Sequence, residues 1–181
     1  ANATESASIS GQGTGLFSTA SSTGNAGQIN VTTPTLTMGD GGTISVATSG
    51  AGNAGNIALN VTNFTQTGGA RVDSSTRASG LGGDIVVAAA NSASISGAGT
   101  GLFSTASSTG AGGDINLQAP QVQIVDAATI SANSTGTATA TAGNVNVVTS
   151  DLNMQTGSIT TEATLADGGN ITIATTGSLV H

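Results

Sequence analysis

The chain contains no cysteine, tryptophan or tyrosine, and only two prolines, three phenylalanines, two cationic residues and one histidine among 181 residues. Each scarcity removes a class of protein. Without cysteine there is neither a disulfide framework nor a thiolate metal site. The single histidine, His181, is the last residue and is read as without a role, so no Ser-His-Asp arrangement exists. Nine acids against Arg71 and Arg77 leave a net charge of −7, which repels a polyanion such as nucleic acid. No apolar window reaches the roughly eighteen residues that a membrane-spanning helix needs. No basic-then-apolar leader opens the chain either. It starts at Ala1, in mid-repeat, and the expectation is a segment of something longer.

What is present is small, hydroxylated and β-branched. Glycine, alanine, serine and threonine number 28, 28, 22 and 30, or 108 of 181 residues, while only 6% of residues are charged. The high charge and the proline-rich runs of a disordered chain are both missing. Glycine and β-branched residues each lower helix propensity. The same composition favours short strands joined by tight turns.

The order of these residues is repetitive. SASISGQGTGLFSTASSTG at 6–24 returns as SASISGAGTGLFSTASSTG at 92–110, changed only at Gln12 against Ala98. A shorter phrase, small-Gly-polar-(Ile/Val), recurs at Gly27, Gly55, Gly83, Gly113, Gly143 and Gly169. Its spacings are 28, 28, 30, 30 and 26, and three of them make the 86 residues between the two long copies. Periods in this range belong to solenoids, propellers or arrays.

Within each unit the apolar residues alternate, which is the period of a strand. Ile29/Val31, Ile57/Leu59, Ile85/Val87, Ile115/Leu117, Val145/Val147 and Ile171/Ile173 mark a first strand. Leu36/Met38, Val122/Ile124 and Leu152/Met154 mark a second, with Phe64 keeping the first position and Ala93/Ile95 shifted by one residue. A third falls at Ile44, Val72, Phe103, Ile130 and Ile159. A propeller blade needs four strands in about 40 residues, more than these units hold. The expected fold is all-β: one right-handed parallel β-helix over 1–181, about six coils of 26–30 residues, three short strands per coil. Coils about 4.8 Å apart make a rod roughly 30 Å long. The long phrase then reads as a strand at Ile9 or Ile95, a longer neutral loop, and a strand at Phe17 or Phe103. Duplicating such a block lengthens the rod without disturbing it.

The phrases GNAGNIALNVTNF, SGLGGDIVVAAANSASISG, GTGLFSTASSTGNAGQINV and GDGGTISVATSGAGNAGNI together resemble the repeat region of large bacterial exoproteins related to filamentous haemagglutinin. The resemblance runs from Ser6 to about Val180. It implies export by two-partner secretion, a β-helical shaft on the cell surface, and a non-catalytic structural or adhesive role. The Asn-rich secretion module that precedes such repeats has no counterpart here, which fits a shaft fragment. End-to-end continuation with the same chain or identical subunits is the expected contact, and a cell-surface or glycan receptor the expected partner. The longest insertion, GLFSTASSTG, is where receptor specificity would sit.

No catalytic, cofactor-binding or metal residue is assigned. Asp40, Asp73, Asp126, Asp151, Glu162 and Asp167 fall at scattered phases, whereas a glycan-cleaving β-helix needs clustered acids beside a cation. Arg71 and Asp73, two apart on one strand, read as a surface ion pair, with Arg77 in the following turn. MGDGGTIS (Met38–Ser45) resembles part of a calcium-binding nonapeptide, but the motif does not recur at nine-residue spacing and reads as a tight turn. Asn-x-Ser/Thr triplets at Asn2, Asn30, Asn60, Asn63, Asn133 and Asn170 are expected by chance in so hydroxylated a chain. An ice-binding face would need a threonine ladder. Thr32/Thr35/Thr37 and Thr172/Thr175/Thr176 suggest one, but the outward row Asn30, Ala58, Val86, Asn116, Asn146, Thr172 is none. The polar residues Gln28, Asn56, Asp84, Asp114, Asn144 and Asn170 form a column of their own at the glycine corner, where Asn and Asp bond to turns and stacked amides to each other. Asp84 and Asp114 meet there in adjacent coils. Screening by solvent, a shared proton or an intervening cation would relieve the two like charges.

Overall fold

The computed structural model describes residues 5–136 and 139–180, and among them every regular element is a strand. The elements are β1 (Ser6–Ser10), β2 (Gly15–Ala20), β3 (Ile29–Gly39), β4 (Thr43–Thr48), β5 (Ile57–Gln66) and β6 (Arg71–Asp73). They continue with β7 (Ile85–Ser96), β8 (Gly101–Phe103), β9 (Ile115–Gln118), β10 (Gln121–Val125) and β11 (Thr129–Ser131). The last are β12 (Val145–Thr149), β13 (Asp151–Asn153), β14 (Ser158–Thr160), β15 (Ile171–Thr175) and β16 (Leu179–Val180). All strand pairs are parallel and join one coil to the next, giving a ten-stranded and a six-stranded sheet in a β-solenoid of about six turns.

The first-strand column is as expected. Ile29 pairs with Ile57, Ile57 with Ile85, Ile85 with Ile115, Ile115 with Val145 and Val145 with Ile171. Ile57, Ile85, Ile115 and Val145 are fully buried. Each side chain so buried contributes roughly 1.5–3 kcal/mol. The expected one-residue shift at Ala93/Ile95 is a β-bulge: Val61 pairs with Ala89 but Asn63 with Ser92, so β7 carries one residue more than β5. Asn91 Nδ2 and Ser92 Oγ both donate to Asn63 Oδ1, at 2.8 and 3.0 Å, and hold the bulge.

Three strands per coil is what β9/β10 and β12/β13 show, but in β3, β5 and β7 the first two run together as one long strand of the same sheet. In the 115–125 coil, Pro120 separates the two and cannot donate to a ladder.

The third strand departs from expectation in parity. Its inward column is Leu16, Ile44, Val72, Leu102, Ile130, Ile159, not Phe103. Leu102 is fully buried, whereas Phe103 is only partly covered and Phe17 is 54% exposed. Leu and Phe are adjacent and both apolar, so hydrophobicity alone left the choice open. The facing residues Ile44, Val72 and Ile130 decide it. GLFSTASSTG is also no loop insertion, because GLFSTA is the strand β2 and GLF the strand β8.

The glycine column has a steric cause. A Cβ on Gly55, Gly83, Gly113, Gly143 or Gly169 would lie 1.8 to 2.3 Å from the carbonyl oxygen of the corresponding glycine one coil back. Behind two of these corners, buried serines stitch coils together. Ser104 Oγ accepts from Gly113 N at 2.9 Å and donates to Gly83 O at 2.9 Å; Ser74 does the same between Gly83 and Gly55. The second-strand column Ile9, Met38, Ile95, Ile124 is apolar apart from one residue. Gln66 takes the place between Met38 and Ile95, and its Nε2 donates to Ala70 O and Gly101 O at 2.8 and 3.0 Å.

Beneath the coil of β15 and β16 no further coil lies among the described residues. Its inward residues Ile171, Ile173 and Leu179 are therefore exposed, Ile171 to 46%.

Candidate functional site

The corner column is a ladder, but its rungs differ from simple amide stacking. Each side-chain Oδ1 accepts the backbone N–H of the corresponding residue in the next coil. Asn56 accepts from Asp84 at 2.9 Å, Asp84 from Asp114 at 2.9 Å, Asp114 from Asn144 at 2.7 Å, and Asn144 from Asn170 at 2.9 Å. One side chain-to-side chain bond is added, Asn144 Nδ2 to Asp114 Oδ1 at 3.0 Å. The two carboxylates thus do not point apart. Both reach in the same direction, and both are engaged by N–H groups. Asp and Asn share the column because the rung needs only one Oδ1.

Asp40, Asp126 and Asp151 likewise accept hydrogen bonds from serines of other coils. Asp40 and Asp126 occupy the same turn three coils apart, both at positive φ (51° and 55°), and accept from Ser10 Oγ and Ser96 Oγ at 2.8 and 2.7 Å. MGDGGTIS is therefore a tight turn, closed by Gly42 N donating to Gly39 O at 2.8 Å. Asp151 Oδ1 accepts from Ser178 Oγ at 2.7 Å and Ser178 N at 2.9 Å, and the hydroxyl first, then the amide, lower its pKa below the ordinary carboxylate value. Glu162 and Asp167 lie near the last corner. Among the described residues no three His, Cys, Asp or Glu side chains converge as a metal-holding group. His181 and the triplet at Asn2 lie outside the described residues.

Arg71 and Asp73 form the expected surface pair at 3.6 Å, worth at most about 1 kcal/mol at such exposure. Missing from the sequence reading is the third member. The Arg71 guanidinium lies over the Phe103 ring, 3.7 Å from its centroid. Strand register explains this. Arg71 sits beside Gly101, over which the Phe103 ring folds, so the missing Cβ leaves room for the stack.

The outward row Asn30, Ala58, Val86, Asn116, Asn146, Thr172 is confirmed by the pairing. Neither does Thr32 begin a threonine ladder, since it stacks over Asn60, Ala88, Gln118 and Val148. This second row instead lines a concavity, or trough, of about 810 Å³ where the first strand passes into the second. Pro34 and Pro120 both line it, in coils three apart. No sequence signal marked it, because it follows from the backbone path rather than from a motif.

No family model, curated protein or solved structure matches this chain.

Proposed function

We propose that the chain is a non-catalytic structural and adhesive segment of a secreted or cell-surface bacterial fibre, of the kind built by filamentous-haemagglutinin-like exoproteins. The observation that supports this best is how the few chemically capable residues are used. Asn56, Asp84, Asp114 and Asn144 accept backbone N–H groups of the next coil, and Asp40 and Asp126 accept serine hydroxyls at turns. Polar chemistry here organises coils, and a three-coil block that can be copied every 86 residues lengthens a rod. The exposed residues Ile171, Ile173 and Leu179 favour a further coil, from the same chain or an identical subunit, continuing the stack. Immunogold electron microscopy of the source cells with antibody to the repeat tests the role. Label along extracellular rods is expected; label confined to the cytoplasm, or a glycan-cleaving activity lost on changing one acid, overturns it.

A further inference from the structure

The trough combines three properties that point to one ligand chemistry. First, it is long. Thr32, Asn60, Ala88, Gln118 and Val148 stack in register over five consecutive coils, so its floor extends for about 19 Å. At about 810 Å³ it falls within the roughly 300–1,000 Å³ of small-ligand sites.

Second, it carries no ionisable side chain, in a protein whose net charge is −7. An acidic polymer is repelled by the molecule as a whole, and a cationic one is drawn to the acids at the corners. An uncharged chain is the electrostatic match.

Third, its exposed hydrogen-bonding groups are unused, while the buried Thr33 and Thr149 bond to Thr35 O, Pro120 O and Asp151 O. The side chains of Thr32, Asn60, Thr62 and Gln118 are exposed and make no hydrogen bond to other described residues. Between them lie the apolar surfaces of Ala88, Ala90 and Val148. Alternating amide and hydroxyl groups with apolar patches suit a ligand that has hydroxyl edges and C–H faces. An extended peptide suits it less. Peptides gain affinity by adding to a sheet edge, and the strands along this trough already pair with one another from coil to coil.

We propose that this trough binds a neutral, extended β-1,4-linked hexose polymer lying along the rod. The coil rise of about 4.8 Å is close to the roughly 5 Å by which such a chain advances per ring, so one sugar meets one coil. This rests on the surface-fibre reading only for where such a polymer is encountered. Binding by the purified chain is a separate measurement from localisation, so either idea can fail alone.

The test is titration of the 181-residue chain with cellobiose, cellohexaose, hexagalacturonate and an uncharged Gly-Ser hexapeptide, followed by NMR. Cellohexaose should bind at least tenfold more tightly than cellobiose and shift the side-chain amides of Asn60 and Gln118. The double variant N60A/Q118A should weaken binding at least tenfold, and A90E should abolish it, with unchanged circular dichroism. Absence of cellohexaose binding, shifts away from the trough, or equal binding of the acidic hexamer or the peptide would overturn the proposal.

Discussion

Leu16 and Leu102 hold the same place in two copies of one nineteen-residue phrase, yet Leu102 is fully buried and Leu16 only half-buried. The backbones agree closely. Gly11 and Gly97 both have φ of 102°, and Gly13 and Gly99 have 77° and 75°. Both copies close the turn with a 3.1 Å bond, from Thr14 N to Gly11 O and from Thr100 N to Gly97 O. What differs is company. Among the described residues the first strand of the early copy, β1, pairs with β3 alone, while the corresponding half of β7 pairs with both β5 and β10. The text of a coil sets its path, and its neighbours supply most of the burial. That is the division of stability expected of a one-dimensional array.

The largest predicted effect separates the copies. Leu102→Ala removes a side chain enclosed on both sides and should cost about 3 kcal/mol, against about 1 kcal/mol for Leu16→Ala, in chemical denaturation. Equal costs would show that burial in the array does not govern stability.

A glycine pair should erase the difference. A Cβ on Gly15 would sit 1.9 Å from Thr43 O, and one on Gly101 would sit 1.8 Å from Thr129 O. Both clashes are with the following coil, which each copy has, so Gly15→Ala and Gly101→Ala should each destabilise by about 2 kcal/mol or more. A harmless Gly15→Ala would mean that the early copy stacks more loosely than its backbone indicates.

The corner ladder predicts a smaller effect. Asn keeps the Oδ1 that forms each rung, as Asn56 and Asn144 show on either side of the two acids. The double variant D84N/D114N should therefore melt no lower than the parent in chelator at neutral pH. A clear loss would mean that the charge itself holds a bond.

The smallest effect belongs to the last coil. Asp151, bonded to Ser178, has a lowered carboxyl pKa in the folded chain. A depressed folded value gives stability that is present above the unfolded value of about 3.9 and lost as pH falls through the folded one. Amides of 177–180 should exchange faster on acidification through that window, after correction for intrinsic rates, and Asp151→Asn should remove the dependence.

Much of this is legible in the sequence. The glycine spacing and the Ile/Val column report a backbone that must pass close to itself every 26 to 30 residues, and a strand alternation that repeats. Three features are not. Leu102 and Phe103 are neighbours of similar hydrophobicity, so their parity is fixed only by Val72 and Ile130 in adjacent coils. Gln66 breaks the apolar column, and the carbonyls that accept from it, Ala70 and Gly101, come from other strand phases. The trough lies where the first strand passes into the second, a property of backbone path that composition does not encode.

Hydrogen exchange on the two copies tests the central claim most directly, since their near-identical text makes intrinsic exchange rates nearly equal. Fragments spanning Gln12 and Ala98 differ in mass and can be followed in one experiment. In the isolated 181-residue chain, amides of 92–103 should exchange at least tenfold more slowly than those of 6–17, because among the described residues the later copy is paired on both sides and the early one on a single side. Equal protection of the two copies would contradict the account.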